Sequence, residues 1–149
     1  MVNHEHYMSI ALDEAKRGAT EGNVAVGSIL VSEERVVARG RNLVTSTSDP
    51  TAHAETVALR HAGEQLGHTD FSKLTLYTTF EPCPMCCGAI LASGVHTLVM
   101  GARHDLTQSN WGVYTVETLL ELTNRTDKLT VIAGILPQAC ADVRKLETE

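Results

Sequence analysis

Asp49-Pro50-Thr51-Ala52-His53-Ala54-Glu55 and, further along, Glu81-Pro82-Cys83-Pro84-Met85-Cys86-Cys87 hold most of the metal-capable chemistry of this chain in two short runs. A histidine and two cysteines three apart supply the nitrogen and sulfur donors that zinc takes. Three protein ligands leave a fourth position for water, which is the arrangement of a catalytic rather than a structural site. Cys83 and Cys86 point the same way if they sit at a helix start. There the N-terminal N–H groups favour the thiolate that zinc requires. Cys87, four residues after Cys83, satisfies the spacing equally well. Free cysteines are common core residues, but cysteines flanked by two prolines at a helix start are unusual packing material. Glu55 lies two residues after His53 and on a helix would face another way. It is a poor co-ligand, yet it can approach a water at the open position and move its proton. His4, His6, His61, His68, His96 and His104 read as ordinary surface or core histidines.

Working outward from the two runs, the chain alternates helix and strand patterns. Asp49-Pro50-Thr51 resembles a helix start, and Ala54, Val57, Ala58 and Ala62 continue it at helical spacing, predicting a helix over 52–65. Upstream, Asn3 fits an N-cap with Glu5 in the first turn, and Tyr7, Ile10, Ala11, Leu12 and Ala15 recur at helical spacing to an end at Gly18. Residues 24–31 and 35–41 read as the strands of a hairpin around Ser32-Glu33-Glu34, and 42–48 as a polar loop. Downstream, 74–79 is a third strand, and Pro84 fits the first turn of a helix ending near Gly94. A short apolar strand follows at 95–100, then a long polar connection over 101–112, a helix at 116–122, a strand at 129–133 and a last helix at 137–146. This order predicts an α/β fold, a three-layer α/β/α sandwich around a central five-stranded mixed sheet. With 149 residues, no internal repeat and no linker, residues 1–149 are expected to form a single catalytic domain.

The totals narrow the class. Apolar residues at 43% and charged residues at 20% are ordinary for a soluble globular protein. Charges scattered through the first twenty residues leave no apolar leader core, and no apolar run reaches membrane-spanning length. A cytoplasmic location without a membrane partner is the expectation. Three of the four cysteines crowd into positions 83, 86 and 87, which argues against a disulfide framework. The net charge is −6, and its basic residues are dispersed, which lowers the expectation of a nucleic-acid partner without forbidding one.

His53-Ala54-Glu55 followed by Pro82-Cys83-Pro84-Met85-Cys86 resembles the His-x-Glu and Pro-Cys-x-x-Cys motifs of the zinc-dependent cytidine deaminase superfamily. The similarity extends through Leu76-Tyr77-Thr78-Thr79-Phe80 and Cys86-Cys87-Gly88-Ala89-Ile90. It is greatest to the branch that holds tRNA adenosine deaminases, guanine deaminases and fungal-type cytosine deaminases. The resemblance implies Zn2+ as cofactor, with His53, Cys83 and Cys86 as its ligands, Cys87 as a neighbour and Glu55 as the catalytic proton shuttle. Glu55 would carry a proton from water to the ring nitrogen and then to the departing amine, so that ammonia leaves and a carbonyl remains. Backbone N–H groups near Ala54 and Cys83 would steady the developing oxygen. The resemblance also implies a cytidine deaminase-like fold and a homodimer.

For substrate binding, Asn42 matches an asparagine with which relatives hold the base, although it also suits a turn. Phe80, Trp111 and Tyr114 are expected to wall the pocket, and Ala54 is expected to bind substrate through its backbone. His104, Asp105 and Ser109 stand near enough in sequence to meet exocyclic groups. A closed structural zinc module would need a fourth donor, for which only Cys87 is at hand, and would leave Glu55 without a task. The expected function is therefore hydrolytic deamination of a free nucleobase or nucleoside of guanine, cytosine or adenosine type. The alternative is a tRNA-specific adenosine deaminase acting in an anticodon loop. The polar His104–Trp111 segment and the acidic total favour the small-molecule substrate.

Overall fold

The computed structural model describes residues 2–146. In chain order the elements are α1 (His4–Thr20), β1 (Gly27–Ser32), β2 (Arg35–Arg41), α2 (Val44–Thr47), α3 (Ala54–Leu66), β3 (Thr75–Phe80), α4 (Pro84–Ser93), β4 (Thr97–Ala102), α5 (Val116–Leu122), β5 (Thr130–Ile132) and α6 (Pro137–Arg144). The strands form one five-stranded sheet in the order β2-β1-β3-β4-β5. β1 pairs antiparallel with both β2 and β3, whereas β3–β4 and β4–β5 are parallel. The sheet is therefore mixed, as the alternation of patterns predicts.

Side chains on alternate strand positions face opposite ways, which gives two apolar layers. On one face Leu30, Leu76, Leu98 and Met100 pack with Ala58 and Ala62 of α3, Cys87 and Ile90 of α4 and Leu120 of α5. On the other, Ile29, Tyr77 and Val99 pack with Met8, Ala11 and Ala15 of α1 and Cys140 and Val143 of α6. Two glycines set the spacing of the layers. A Cβ at Gly27 would stand 2.0 Å from the Ala11 carbonyl oxygen of α1, and one at Gly40 would stand 2.5 Å from the Ala54 carbonyl oxygen of α3. The second contact seats the first turn of α3 directly on the sheet.

Several element ends differ from the sequence expectation, each for a physical reason. α1 runs past Gly18 to Thr20, because Gly18 is buried against Asn42 and the left-handed residue that allows the exit is Gly22 at φ +86°. The first strand starts at Gly27 rather than residue 24. The fourth occupies Thr97–Ala102, two residues later than its apolar run, because α4 ends on Gly94 and the ladder carries on to Ala102 opposite Phe80. Within the expected 42–48 loop lies the short α2, whose β-branched and hydroxyl residues are poor helix formers. It is held from outside: buried Asn23 accepts from the Thr45 N–H at 3.0 Å and the Ser46 N–H at 3.1 Å.

Candidate active site

α3 and α4 begin next to one another, and each begins on a metal-capable residue. His53 is the N-cap of α3 and Cys83 that of α4, both in extended conformation, and neither side chain caps its own helix. The backbone closes each first turn instead: Val57 N–H donates to the His53 carbonyl at 2.9 Å, and Cys87 N–H donates to the Cys83 carbonyl at 2.8 Å. Pro84 follows Cys83 at a position where a missing N–H costs nothing. The two side chains are left to face each other, His53 Nδ1 lying 3.5 Å from Cys83 Sγ. Cys86, one helical turn on, completes a group in which the donor atoms of His53, Cys83 and Cys86 all lie within 4.8 Å of one another.

The helix face separates the two later cysteines. Cys87 points into the apolar layer with Ile90, Leu98 and Met100, and burial pushes its thiol up to about 11. Cys83 is the opposite case. A hydrogen bond from Cys86 holds its thiol well below the ordinary cysteine range, with the His53 imidazole assisting against burial, while Cys86 is shifted upward. Two sulfurs and an imidazole nitrogen at this spacing, with no disulfide competing for the cysteines, fit the tetrahedral preference and donor set of zinc.

Glu55 lies in the first turn of α3 and is buried. Burial is the main cause that pushes its carboxyl up to about 7; the Cys83 charge adds to the rise, while the backbone, His53 and the Thr78 hydroxyl pull the other way. A carboxyl poised near neutrality can both accept and return a proton. Glu55 opens on a cleft of about 250 Å³ together with His53, Ala54, Cys83, Asn42, Phe80 and Trp111. A larger open groove of about 530 Å³ runs along β2 past Arg39, Arg41, His61 and Glu64, but shares no residue with the cleft and carries none of the ligand group.

Most of the residues expected at the site are brought together here. Ala54 is fully buried at the floor. The Asn42 side-chain Oδ1 accepts from the Val44 N–H at 3.0 Å, which turns its side-chain Nδ2 toward a ligand. Phe80 forms a wall and Trp111 the rim, 47% exposed. Tyr114 is the exception. It does not line the cleft; its hydroxyl donates to the Pro82 carbonyl at 2.6 Å, so it braces the Pro82–Cys83 segment from behind.

Two contributors, Arg144 and Glu81, escaped the sequence reading, and His104 is brought in as one of the three residues of its loop suggested for exocyclic contacts. Arg144, at the end of α6, reaches the cleft with its guanidinium 5.1 Å from the centre of the Phe80 ring. His104 also lines it, edge-on to Phe80 at 5.0 Å. Glu81, 2% exposed, accepts from the His104 N–H at 3.1 Å, the Val116 N–H at 2.9 Å and Arg103 Nη2 at 2.9 Å. Burial opposes its charge, but Arg103 and the two amides outweigh it and hold the carboxyl below the ordinary glutamate range. Arg103 pairs in turn with Glu117, so both ends of the 103–115 connection are tied to the base of the cleft. Glu81 adjoins the cysteine motif, yet nothing local in the sequence reveals a partner 35 residues away.

Residues 1–102 match the model of the cytidine and deoxycytidylate deaminase zinc-binding region. The chain belongs to that family. It is 38% identical over 138 residues to the tRNA-specific adenosine deaminase of Buchnera aphidicola, covering 93% of this chain and 89% of the relative. It is 47% identical over 102 residues to the chloroplastic tRNA(adenine(34)) deaminase of Arabidopsis thaliana, of which it spans only 8%. The solved guanine deaminase of Nitrosomonas europaea superposes with a TM-score of 0.82 at 29% identity, covering 99% of this chain and 86% of that one. The protein is thus a zinc-dependent deaminase with a cytidine deaminase-like fold, hydrolysing a C–N bond. No helix of the described residues is long and apolar enough to cross a membrane.

Proposed function

We propose that this deaminase acts on an amino-bearing purine, with Glu55 as its proton carrier and His53, Cys83 and Cys86 as its zinc ligands. The observation that carries the reading is the buried Glu55 carboxyl, in the same cleft as the converging His53 and Cys83 side chains. When bound, zinc supplies the Lewis acidity that makes water a nucleophile near neutral pH. Glu55 takes one proton of that water and delivers it to the ring nitrogen as the oxygen adds to the amino-bearing carbon; it then moves the second water proton to the amine, so that the C–N bond breaks, ammonia leaves and a carbonyl remains. Phe80 and Trp111 enclose the flat ring, the Asn42 amide donates to its edge, and the apolar floor at Ala54 limits competing water. The first-turn N–H of Ala54 is one of the amides that α3 leaves without a helical partner, and it steadies the oxygen that develops on the ring.

Two purine substrates follow from the relatives. Adenosine in a tRNA anticodon loop is supported by relatives aligned along nearly the whole chain. Free guanine is supported by the Bacillus subtilis and Nitrosomonas europaea enzymes and by the net charge of −6. The charge is a whole-chain sum, and RNA contact needs only a local surface, so an acidic total does not place the tRNA substrate behind the free base. In the same reading residues 1–149 are one catalytic unit, and the enzyme is a cytoplasmic homodimer. Its four buried cysteines suit a reducing compartment, and exposed Trp111 and Val113 offer an apolar rim for a second copy. Ammonia release by zinc-loaded protein from guanine, adenine, cytosine, their nucleosides and an anticodon stem-loop is the test. Turnover of the RNA alone selects the tRNA substrate, turnover of guanine alone selects the free base, and turnover of cytosine or cytidine alone overturns the purine reading.

A further inference from the structure

The leading N–H groups of a helix have no helical acceptor and need a partner from elsewhere. α2 is a single turn of Val44-Thr45-Ser46-Thr47, and its N-cap Leu43 has no side-chain oxygen to offer. Two asparagines earlier in the chain take its three leading amides between them. Asn42 Oδ1 accepts from the Val44 N–H at 3.0 Å, and Asn23 Oδ1 accepts from the next two, Thr45 N–H at 3.0 Å and Ser46 N–H at 3.1 Å. Asn23 Nδ2 completes the set by donating to the Ser46 hydroxyl at 3.1 Å. Asn23 is itself fixed: it is 1% exposed, it follows the left-handed Gly22, and its N–H donates to the Gly18 carbonyl of α1 at 2.9 Å. The two asparagines differ in the use of their amide nitrogens. Asn23 commits its whole side chain to α2 and does not line the cleft, whereas Asn42 lines it, and its Nδ2 has no protein acceptor among the described residues. Oδ1 and Nδ2 are the two ends of one planar amide, so the bond from Val44 decides which end a ligand meets.

We infer that Asn23 is a positioning residue for substrate recognition. It holds the Thr45 and Ser46 amides and so fixes the turn of α2, the turn fixes the Val44 N–H, and that N–H keeps the Asn42 amide with Nδ2 toward the substrate. Asn23 acts through Asn42 and touches neither the substrate nor the reacting atoms. The inference rests on Asn42 as a substrate contact. A hydrogen bond to the purine edge that is made alike before and during reaction acts on substrate affinity rather than on turnover.

The test compares Asn23→Ala, which removes the acceptor, with Asn23→Asp, which keeps an oxygen for both amides and lets the Ser46 hydroxyl turn to donate to it. The assays are ammonia release from guanine and from the anticodon stem-loop. Asn23→Ala is expected to raise KM about tenfold, with kcat within about threefold of wild type and zinc content unchanged. Asn23→Asp should keep KM within about threefold of wild type. In an Asn42→Ala background, whose own KM is raised, Asn23→Ala should add less than about twofold, because the group it positions is gone. A role in folding alone would lower stability and leave this KM pattern unmade. Crystal structures supply a readout independent of turnover: Asn42 in one orientation in wild type and Asn23→Asp, and turned in Asn23→Ala. If Asn23→Ala fails to fold, Asn23→Leu, which keeps the side-chain volume, carries the same expectations. Wild-type KM in the variant without the acceptor, an Asp variant as weak as the Ala one, or a full further rise in the Asn42→Ala background overturns the inference. Wild-type KM in Asn42→Ala overturns Asn42 as a substrate contact, whereas a raised KM there beside an unaffected Asn23→Ala removes only the positioning role.

Discussion

The helices of this protein start in two different ways. α1 and α5 begin on residues that satisfy their own first turns: Asn3 accepts from the His6 N–H at 3.1 Å, and Thr115 exchanges hydrogen bonds with Thr118 in a capping box. α3 and α4 begin on His53 and Cys83, which occupy the cap position and withhold their side chains from it. A side-chain cap stabilises a helix by about 1 kcal/mol, so the second pair forgoes that stabilisation twice. In exchange, the amide-rich ends of two helices and two metal-capable side chains meet at one point, where positive potential favours a thiolate. One pair of starts serves the fold and the other serves the chemistry.

Substitutions can test that division, and the largest effects are expected at the uncapped starts. Cys86→Ala should reduce zinc from one equivalent per chain to a small fraction and abolish turnover, whereas Cys87→Ala should keep its zinc; metal analysis of the purified variants decides between them. The reverse pattern would mean that Cys87 is the second thiolate ligand. Glu55→Gln should bind zinc normally while kcat falls by roughly two to four orders of magnitude, the usual contribution of a general acid–base group. Near-normal turnover in that variant would end the proposed mechanism.

Intermediate effects belong to the clamp that joins cleft and scaffold. Glu81→Ala leaves Arg103 and two amides without their acceptor and should cost about 2–3 kcal/mol, discounted from the range for a fully buried pair because Arg103 is partly exposed. Urea unfolding measures it. Glu81 also gives stability a pH dependence. Its folded carboxyl is held below the unfolded value of 4.5, so the folded state binds its proton less readily. The contribution is complete above that value and is lost as pH falls through the lowered one. A wild-type unfolding curve that weakens in acid, with a smaller acid dependence in Glu81→Gln, is the expected result; equal dependence in both would assign the effect to other carboxyls.

The smallest effects should fall at the capped starts. Asn3→Ala and Thr115→Ala are each expected to lower stability by about 1 kcal/mol and to leave kcat unchanged. A large loss of turnover from either would show that the two kinds of helix start are not independent.

What the sequence made legible follows the same line. That His53, Cys83 and Cys86 stand together with Glu55 nearby could be read because their spacing is local, within one helical turn of a helix start, and the order of helices and strands followed from their periodicity. Contacts that span the fold were hidden. Tyr114 reads as a pocket aromatic from its neighbourhood, but its hydroxyl is committed to Pro82, 32 residues away. Arg144 looks like a surface base near the end of the last helix, and only the packing of α6 across the sheet brings it over Phe80. Strand ends moved for a related reason: apolar runs mark burial, while the ladder marks pairing, and β4 shows the two displaced by a pair of residues.

Trp111 is the only tryptophan in the chain, and it stands half-exposed at the rim of the cleft. The protein therefore carries its own optical label where a ligand must pass. Excitation of the indole reports on the rim of the cleft, with no competing emission from a core tryptophan. A purine stacking beside it should quench that emission, and its affinity can be read from unlabelled protein, even in a Glu55→Gln variant too slow to consume what it binds.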